Sequence, residues 1–237
     1  MDTLGFLTLI SVLIAALTLL RLYAVLPSTQ TAKPSGLRED SDVCSLAVFL
    51  GSGGHTSEAL RLLSALNFNR YGPRTYIISE GDTLSMHKAM DLECAKSTEA
   101  SQTTPFTSGP DAPCSFVVIP RARRVHQSFL TAPFSAALSL AASIWHLTAS
   151  PLFFGPPAPD VLLLNGPGTC FVLCIAAYLS RFLGLKSPKL IYVESFARVR
   201  HLSLSGKLLR PLVDRFIVQW PDLLQDGKRG ECRGWLV

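Results

Sequence analysis

A glycine-rich loop that ends in a histidine follows an unbroken apolar run near residue 50. The loop and the residue after it are Gly51, Ser52, Gly53, Gly54, His55 and Thr56. At a turn from a strand into a helix, unpaired amides and the positive end of the helix dipole meet, and glycine lets a ligand come close. The pattern predicts an anion site suited to phosphate. A bare turn capped by Thr56 or Ser57 is the simpler alternative.

His55 adds a group that a bare turn does not need. Its imidazole can accept a proton near neutral pH, which makes it a candidate general base. A surface histidine that only forms hydrogen bonds is the alternative at a helix start. Standard nucleotide motifs fit in part: a GxGxxG loop needs glycine where Thr56 stands, and the lysine of a GxxxxGK[ST] loop is absent.

Two later loops have a similar character. Residues 165–169, Asn-Gly-Pro-Gly-Thr, follow one apolar run, and Glu194 ends another. Ligands of parallel α/β sheets bind at the carboxyl ends of the strands, so we expect these loops beside the first one. The candidate ligand contacts are Asn165, Gly166, Gly168, Thr169 and Glu194. The alternatives are a helix-entry turn with Thr169 near the cap, and a salt bridge from Glu194 to Arg198 or Arg200.

The elements that must position these loops alternate along the chain. The predicted strands are Cys44–Leu50, Thr75–Ser79, Phe116–Ile119, Val161–Leu164, Leu190–Val193 and Phe216–Gln219. The predicted helices are Thr56–Leu66, His126–Thr148 and Thr169–Phe182. Short apolar strands that alternate with helices indicate an α/β fold with a Rossmann-like, mostly parallel sheet. The polar stretch Lys96–Pro113 is predicted to be a mobile loop.

The first 26 residues are mostly apolar, and Arg21 is the one charged residue between Leu4 and Leu26. About 20 apolar residues cross a bilayer as a helix, and an arginine near the end can extend to the interface. We therefore predict a membrane anchor over 1–26, a flexible linker over 27–43 and one domain over 44–237. Basic residues follow the run and none precedes it, which predicts a cytosolic domain. A cleaved signal peptide is the alternative, but the basic start of such a peptide is missing.

Composition excludes several classes of site. The six cysteines form no CxxC pair, so neither a zinc site nor a disulfide framework is indicated, and Cys44, Cys170 and Cys174 are expected to be buried. The net charge of +5 comes with one dense cationic cluster, Arg121, Arg123, Arg124 and His126. Nucleic-acid binding needs a longer basic stripe, so a membrane surface or a phosphate is the expected partner.

The stretch Phe129–Phe154 is apolar over most of its length, but Pro133, His146 and Pro151 interrupt it. Apolar area beside cations is typical of a helix that lies in the membrane interface, so we favour an in-plane helix or patch. A second membrane span is the alternative.

Taken together, these segments resemble a known family. They are the loop from Gly51 to Thr56 with Glu58, Asn165–Cys170, Tyr192–Val199, Leu202–Lys207 and Gln219–Pro221. In this order, after an N-terminal anchor, they are similar to the membrane-anchoring subunit of the dolichol-pathway UDP-N-acetylglucosamine transferase. The resemblance implies the N-terminal, acceptor-binding half of a GT-B glycosyltransferase, with the sugar-nucleotide half on a separate soluble catalytic subunit and no activity expected in the chain alone.

The resemblance also implies a reaction and its residues. The complex would add the second N-acetylglucosamine (GlcNAc) to GlcNAc-diphosphodolichol at the cytosolic face of the endoplasmic reticulum, or of the nuclear envelope. His55 and Glu194 would be catalytic, the glycine loops would bind the diphosphate, and the UDP-GlcNAc donor would be bound mainly by the partner. The terminal residues Gly234, Trp235, Leu236 and Val237 would dock the partner. No cofactor or metal is implied.

Two rivals remain at this point. A membrane-tethered dinucleotide oxidoreductase would need an acidic residue after the second strand, and Glu80 stands there. Thr56 breaks its glycine pattern, however, and the chain has no Tyr-x-x-x-Lys pair. A purely structural anchor that recruits the catalytic subunit is the second rival.

Overall fold

A seven-stranded sheet forms the centre of the molecule. The computed structural model describes residues 3–27, 43–103, 114–123, 127–128, 130–166 and 168–236. The strands are β1 (Leu46–Leu50), β2 (Arg74–Ser79), β3 (Cys114–Ile119), β4 (Val161–Asn165), β5 (Lys189–Val193), β6 (Arg215–Val218) and β7 (Glu231–Cys232). Their order is β3-β2-β1-β4-β5-β6-β7, and each neighbouring pair is parallel.

Helices connect the strands and cover both faces of the sheet. They are α1 (Thr3–Val25), α2 (Gly54–Ser64), α3 (Thr83–Thr103), α4 (Ala132–Ile144), α5 (Ser150–Phe153), α6 (Thr169–Phe182) and α7 (Leu204–Leu209). A π-helical turn, Trp145–Ala149, joins α4 to α5, and a 3₁₀ turn covers Pro221–Leu224. The predicted bounds of α6 are confirmed. Each of the six predicted strands is present, with ends that differ by one or two residues from those expected.

The unbroken apolar character of β1 has a packing cause. Ala47 and Phe49 belong to a core cluster that includes residues of α6, whereas Val48 and Leu50 belong to a second cluster with residues of α2 and α3. Successive side chains of a strand point to opposite faces, so a strand covered on both faces must be apolar at every position. The three cysteines expected in the core, Cys44, Cys170 and Cys174, are buried. Burial raises the pKa of the Cys174 thiol to about 12.

The strand order places a crevice beside β1. β2 and β3 lie on one side of β1, and β4 and β5 lie on the other, so the direction in which the chain winds reverses between β1 and β4. In open parallel sheets this reversal leaves the carboxyl ends of the two strands uncovered by a connection, and ligands bind there.

The prediction of a loop over Lys96–Pro113 is wrong in its first part. Helix α3 continues to Thr103, while residues 104–113 lie outside the described residues. The hydroxyls of Ser97 and Thr98 donate to the carbonyls of Glu93 and Cys94, one turn earlier in the helix. Serine and threonine that bond back in this way are tolerated inside a helix, so their abundance did not mark its end.

Helix α1 is the expected anchor element and a candidate membrane span. Its apolar part, Gly5–Val25, is long enough to cross a membrane and is almost wholly exposed in the molecule. Arg21, near the end of α1, donates from Nε to the Phe182 carbonyl at 3.1 Å and from Nη2 to the Arg181 carbonyl at 3.0 Å. A cation is favourable at the carbonyls of a helix C-terminus, so Arg21 joins α1 to α6. The predicted linker lies almost wholly outside the described residues.

A second stretch, Ala132–Phe153, is also long and apolar enough to be a candidate span. One side of it packs on α6, with Ser139, Ser143 and Leu147 buried. The opposite side exposes four large apolar residues at positions i, i+4, i+11 and i+18, namely Phe134, Leu138, Trp145 and Leu152. At 3.6 residues per turn the first three lie on one line, and Leu152 follows the π-helical turn; we call these four exposed residues the apolar stripe. The stretch is thus packed on the Rossmann-like domain and has the exposed apolar face that the favoured in-plane arrangement requires.

A buried ion pair supports the β2 side of the sheet and yields a stability prediction. The Arg74 guanidinium donates to both carboxylate oxygens of Glu93 at 2.7 Å, and the Tyr76 hydroxyl donates to the same carboxylate at 2.6 Å. Burial and Glu93 raise the pKa of Tyr76. Glu93→Ala would leave the buried charge of Arg74 without its carboxylate, so we expect the free energy of unfolding to fall by about 3–5 kcal/mol in denaturant titrations.

The half-exposed pair Arg215–Glu231 is the matched control for Glu93→Ala. Arg215→Gln should cost less than about 1 kcal/mol because water screens that pair. Equal losses for the two variants would show that the Arg74–Glu93 pair does not stabilise the sheet.

Candidate functional site at the strand ends

The loops after β1 and β4 contact each other. A Cβ atom built on Gly166 would lie 3.4 Å from Gly51 Cα and 3.4 Å from His55 Cγ, and Gly166 has a φ of +129°. Only glycine combines that backbone conformation with so close an approach. The structure therefore brings together the two glycine-rich loops that the sequence placed at strand ends. Pro167 lies outside the described residues.

The first turn of α2 is open to a ligand. Helix α2 begins at Gly54, with Gly53 as its N-cap residue and no side chain that caps it. Ser52 and Gly53 both have positive φ, at 66° and 57°, and a Cβ on Gly53 or Gly54 would meet no atom within 4 Å. The predicted alternative of a cap from Thr56 or Ser57 is not what the structure shows. Amides of a first turn without a capping side chain are the donors that an anion needs.

Two threonines of the predicted site face inward. The Thr56 hydroxyl lies 2.6 Å from the Ser85 hydroxyl, which in turn donates to Asp82 at 2.7 Å. The Thr169 hydroxyl accepts from the Ala122 amide at 3.4 Å. These side chains join α2 to the start of α3, and α6 to the end of β3. Gly168 is the N-cap residue of α6, and a Cβ there would meet no atom within 4 Å.

A chain of hydrogen bonds crosses the site. Nδ1 of His55 lies 2.9 Å from Oδ1 of Asn165, and Nδ2 of Asn165 donates to Oε2 of Glu58 at 3.0 Å. The Ser195 hydroxyl donates to Oε1 of Glu58 at 2.8 Å. Asn165 has no exposed surface, whereas His55 is half-buried. We call these four residues the strand-end network, because they join the first turn of α2 to the ends of β4 and β5.

Glu58 and Ser195 were not among the predicted site residues. A signal for Glu58 was available: His55 and Glu58 are three residues apart, so they lie on the same face of a helix. Nothing in the sequence indicated that Asn165 would stand between them, because that depends on the register of β4 against β1.

Glu194 lies inside the domain, with 1% of its surface exposed. One carboxylate oxygen accepts from the amide and hydroxyl of Ser203 at 3.1 and 3.0 Å, and the other accepts from the Ser195 amide at 3.2 Å. In the described part of the chain, the ion pairs do not include the alternative pairing of Glu194 with Arg198 or Arg200. Glu194 thus stabilises the start of α7, and contact with an acceptor stays a prediction.

The C-terminal segment is held by aromatic contacts. The ring of Trp235 lies 6.0 Å from Phe196 and 5.7 Å from Trp220, yet 72% of Trp235 is exposed. The Leu236 amide donates to the Gln219 side chain at 3.1 Å. Gly234 has a φ of +69°, and Val237 lies outside the described residues. Of the four predicted docking residues, Trp235 therefore packs against Phe196 and Trp220 and keeps most of its ring exposed.

A cleft of about 860 Å³ opens beside the ends of β2 and β3. It is lined by Glu80, Gly81, Pro120, Arg121, Gln127, Thr131, Phe134, Ser135 and Leu138. Phe134 and Leu138 belong to the apolar stripe, so one wall is apolar while Arg121 supplies a cation. Arg124 and His126 of the predicted cationic cluster lie outside the described residues.

Comparison with known structures defines the class of protein. The fold is similar to that of MurG from Acinetobacter baumannii, with a TM-score of 0.50 at 12% identity. The match covers 81% of this chain and 46% of MurG, so the chain spans about half the length of that protein. With the parallel sheet, the match confirms the predicted fold class: a Rossmann-like domain of the kind that forms half of a GT-B glycosyltransferase.

Sequence comparison identifies the family. The family described as "Oligosaccharide biosynthesis protein Alg14 like" matches residues 46–236, and the chain belongs to it. Relatives named UDP-N-acetylglucosamine transferase subunit ALG14 include one from Schizosaccharomyces pombe, 49% identical over 80% of this chain and 81% of the relative. One from Cryptococcus neoformans is 48% identical over 86% of this chain and 85% of the relative. One from Rattus norvegicus is 42% identical over 94% of this chain and 94% of the relative.

Gly206 provides a test of the buried position of Glu194. A Cβ on Gly206 would lie 2.0 Å from Oε2 of Glu194, so Gly206→Ala must displace the carboxylate or α7. We expect Gly206→Ala to lower the free energy of unfolding by about 1–3 kcal/mol, measured by denaturant titration.

Gly54→Ala is the matched control, because a Cβ on Gly54 meets open space at the start of a helix. It should leave stability unchanged or slightly raised, since alanine favours a helix. A Gly206→Ala protein as stable as the control would show that Glu194 is not confined by α7.

Proposed function

We propose that this chain is the membrane-anchoring, acceptor-binding subunit of a heteromeric UDP-GlcNAc transferase. Its reaction adds the second GlcNAc to GlcNAc-diphosphodolichol during synthesis of the N-linked glycan precursor. The observation that carries the proposal is the position of His55 in the open first turn of α2, beside the two glycine loops. The names of the relatives support the assignment to a transferase and favour it over the oxidoreductase alternative.

The chain alone would supply half of the reaction site. MurG is about twice as long as the part that this chain matches, which supports a division of one GT-B enzyme between two chains. A soluble catalytic subunit would bind the UDP-GlcNAc donor and be recruited to the membrane by this chain. The exposed face of Trp235, next to Phe196 and Trp220, is the proposed contact with that subunit.

The acceptor diphosphate would bind at the first turn of α2. The first-turn amides have no capping side chain, the space beside Gly53 and Gly54 is open, and the helix dipole adds positive potential there. Arg121 at the neighbouring cleft supplies a side-chain cation for the same charge. The apolar wall of the cleft and the apolar stripe would lie against the dolichol chain and the membrane surface.

The proposed chemistry is a direct displacement that inverts the donor anomeric carbon. The acceptor hydroxyl oxygen forms a bond to that carbon while the bond from the carbon to UDP breaks, and UDP leaves with the electron pair. The hydroxyl proton passes to Nε2 of His55, the ring nitrogen that does not contact Asn165. General-base catalysis of this kind contributes roughly 10²–10⁴ in rate.

The proposed location is the endoplasmic reticulum membrane, with the domain on the cytosolic side. Helix α1 is the candidate span, and the basic residues Arg21, Lys33 and Arg38 on its C-terminal side favour a cytosolic domain. UDP-GlcNAc supplied from the cytosol would then reach the partner subunit directly.

Replacement of His55 tests the proposed base. In the complex with the soluble partner, His55→Gln should lower kcat for transfer to a GlcNAc-diphospho-polyprenol about 10²-fold or more, with complex formation unchanged. His87→Gln, at an exposed histidine on α3, is the matched control and should keep full activity.

Two outcomes of the His55 experiment would contradict the proposal. Unchanged turnover in an intact His55→Gln complex would favour a purely structural anchor. Transfer by the wild-type chain without its partner would contradict the division of the enzyme between two chains.

Trp235→Ala tests the partner surface. Loss of an indole at the centre of an interface typically costs about 2 kcal/mol or more, so we expect about 30-fold weaker retention of the soluble subunit in detergent pull-downs. Trp145→Ala removes another exposed indole, from the apolar stripe, and should leave retention unchanged. Equal retention by both variants would place the partner elsewhere.

A further inference from the structure

The strand-end network contains three residues to which the proposed reaction gives no task, Glu58, Asn165 and Ser195. His55 and Glu58 lie one turn apart on α2, and the side chain of Asn165 stands between them with one end bonded to each. Both oxygens of Glu58 are engaged, one by Asn165 and one by Ser195. Because each of these groups has a partner, the donor and the acceptor of each hydrogen bond can be assigned.

The direction begins at Glu58. An ionised carboxylate accepts hydrogen bonds and cannot donate them, so the end of Asn165 that faces Glu58 must be its NH₂ group. The oxygen of the Asn165 amide then faces His55 at 2.9 Å. Because Asn165 is wholly buried, water cannot replace either bond without cost, and the reversed amide would set its oxygen against the Glu58 carboxylate with no proton between them.

The orientation of Asn165 decides the tautomer of His55. An amide oxygen only accepts, so Nδ1 of His55 must carry the ring proton. The neutral ring then has its lone pair on Nε2. This is the nitrogen that can take a proton from a ligand above the glycine loop.

We propose that Glu58 and Asn165 are positioning residues that hold His55 in the Nδ1-protonated tautomer, with Nε2 available as the base. This inference deepens the proposed function and rests on it. When Nε2 accepts the hydroxyl proton, the imidazolium keeps its Nδ1–H bond to Asn165, and no other proton moves. The negative charge of Glu58, transmitted through the polarised amide, stabilises the imidazolium.

A merely structural network would make different predictions. It would join α2 to β4 and β5, and its loss would lower stability without altering how the rate depends on pH. In the described part of the chain, the titratable groups on the elements around His55 include Glu58 on α2, Tyr192 on β5, Glu194 directly after β5, and Cys170 on α6. Glu58 is the one among them that reaches His55 through a single side chain.

Nuclear magnetic resonance tests the tautomer without an activity assay. In the complex labelled with ¹⁵N-histidine, the long-range ¹H–¹⁵N spectrum of His55, assigned by loss of its signals in His55→Gln, should show a protonated Nδ1 and an unprotonated Nε2. Asn165→Leu should give a mixture of tautomers. A wild-type ring protonated on Nε2 would overturn the inference.

Kinetics of the complex test the role in the reaction. Asn165→Leu should lower kcat about 30-fold, and Glu58→Gln about 10-fold, with little change in KM, as fractions of the contribution of a general base. The glutamine introduced by Glu58→Gln can still accept from Asn165 through its amide oxygen, so this variant should keep the tautomer and lose the effect of the charge. Asp91→Asn removes a carboxylate from an exposed site on α3 and should stay within about twofold of wild type.

The dependence of kcat on pH distinguishes a role in positioning His55 from a role in stabilising the fold. Asn165→Asp places a second carboxyl group against Glu58, so the two share a proton, and it brings negative charge directly beside His55. This favours the imidazolium, so a higher pH is needed to obtain the neutral base. The acidic limb of the kcat profile should therefore move to higher pH by about one unit or more. An unchanged profile for Asn165→Asp, in a complex that still turns over, would contradict the inference.

The two proposals fail in different ways. If His55→Gln keeps full turnover, the proposed base is wrong whatever the tautomer. If His55→Gln is inactive while the Glu58 and Asn165 variants change neither the tautomer nor the pH profile, the base stands and the positioning role is wrong.

Discussion

The parallel pairing of β1 with β4 is the constraint on which the site depends. Its register places Leu50, the last residue of β1, opposite Asn165, the last residue of β4. The two strands therefore end at the same level, and the loops that follow them must turn away from the same point. Glycine at positions 51 and 166 allows the two backbones to approach, which leaves the first turn of α2 and the side chain of Asn165 side by side.

Burial of the end of β4 determines which groups Asn165 bonds to. β1 and β4 are covered on both faces, so an amide at the end of β4 is removed from water and must find partners inside the domain. The partners it finds are His55 and Glu58. Glu194, one strand further along, is likewise satisfied internally by Ser203 and Ser195. The polar groups nearest the open glycine turn are thus rigidly held, which is what a base needs if it is to meet a hydroxyl at one defined position.

The apolar outer features gather on one face of the sheet. Helix α1 joins the C-terminus of α6 through Arg21, and the helical stretch from Ala132 to Phe153 packs along the same helix. The apolar stripe and the candidate span are therefore linked through α6. The cleft that contains Arg121 opens beside the same helical stretch, with Phe134 and Leu138 in its wall.

Much of this organisation is encoded in local sequence patterns. The six longer strands, the bounds of α6, the apolar anchor helix and the three loops that follow β1, β4 and β5 are each encoded by runs of apolar residues and by the residues that interrupt them. Such patterns fail where polar residues are tolerated: the serines and threonines of α3 bond back to their own helix, so the predicted loop from Lys96 is helical as far as Thr103. The two-residue strand β7 is too short to have a pattern.

Only the tertiary structure decided what the loop side chains contact. From the sequence, His55 and Glu194 were catalytic candidates and Asn165 a ligand contact, whereas Glu58 and Ser195 were not candidates. Packing buried Glu194 beneath α7, turned Thr56 and Thr169 inward, and joined His55 to Glu58 through Asn165. These outcomes depend on strand register and on contacts between residues more than one hundred positions apart, which local periodicity does not record.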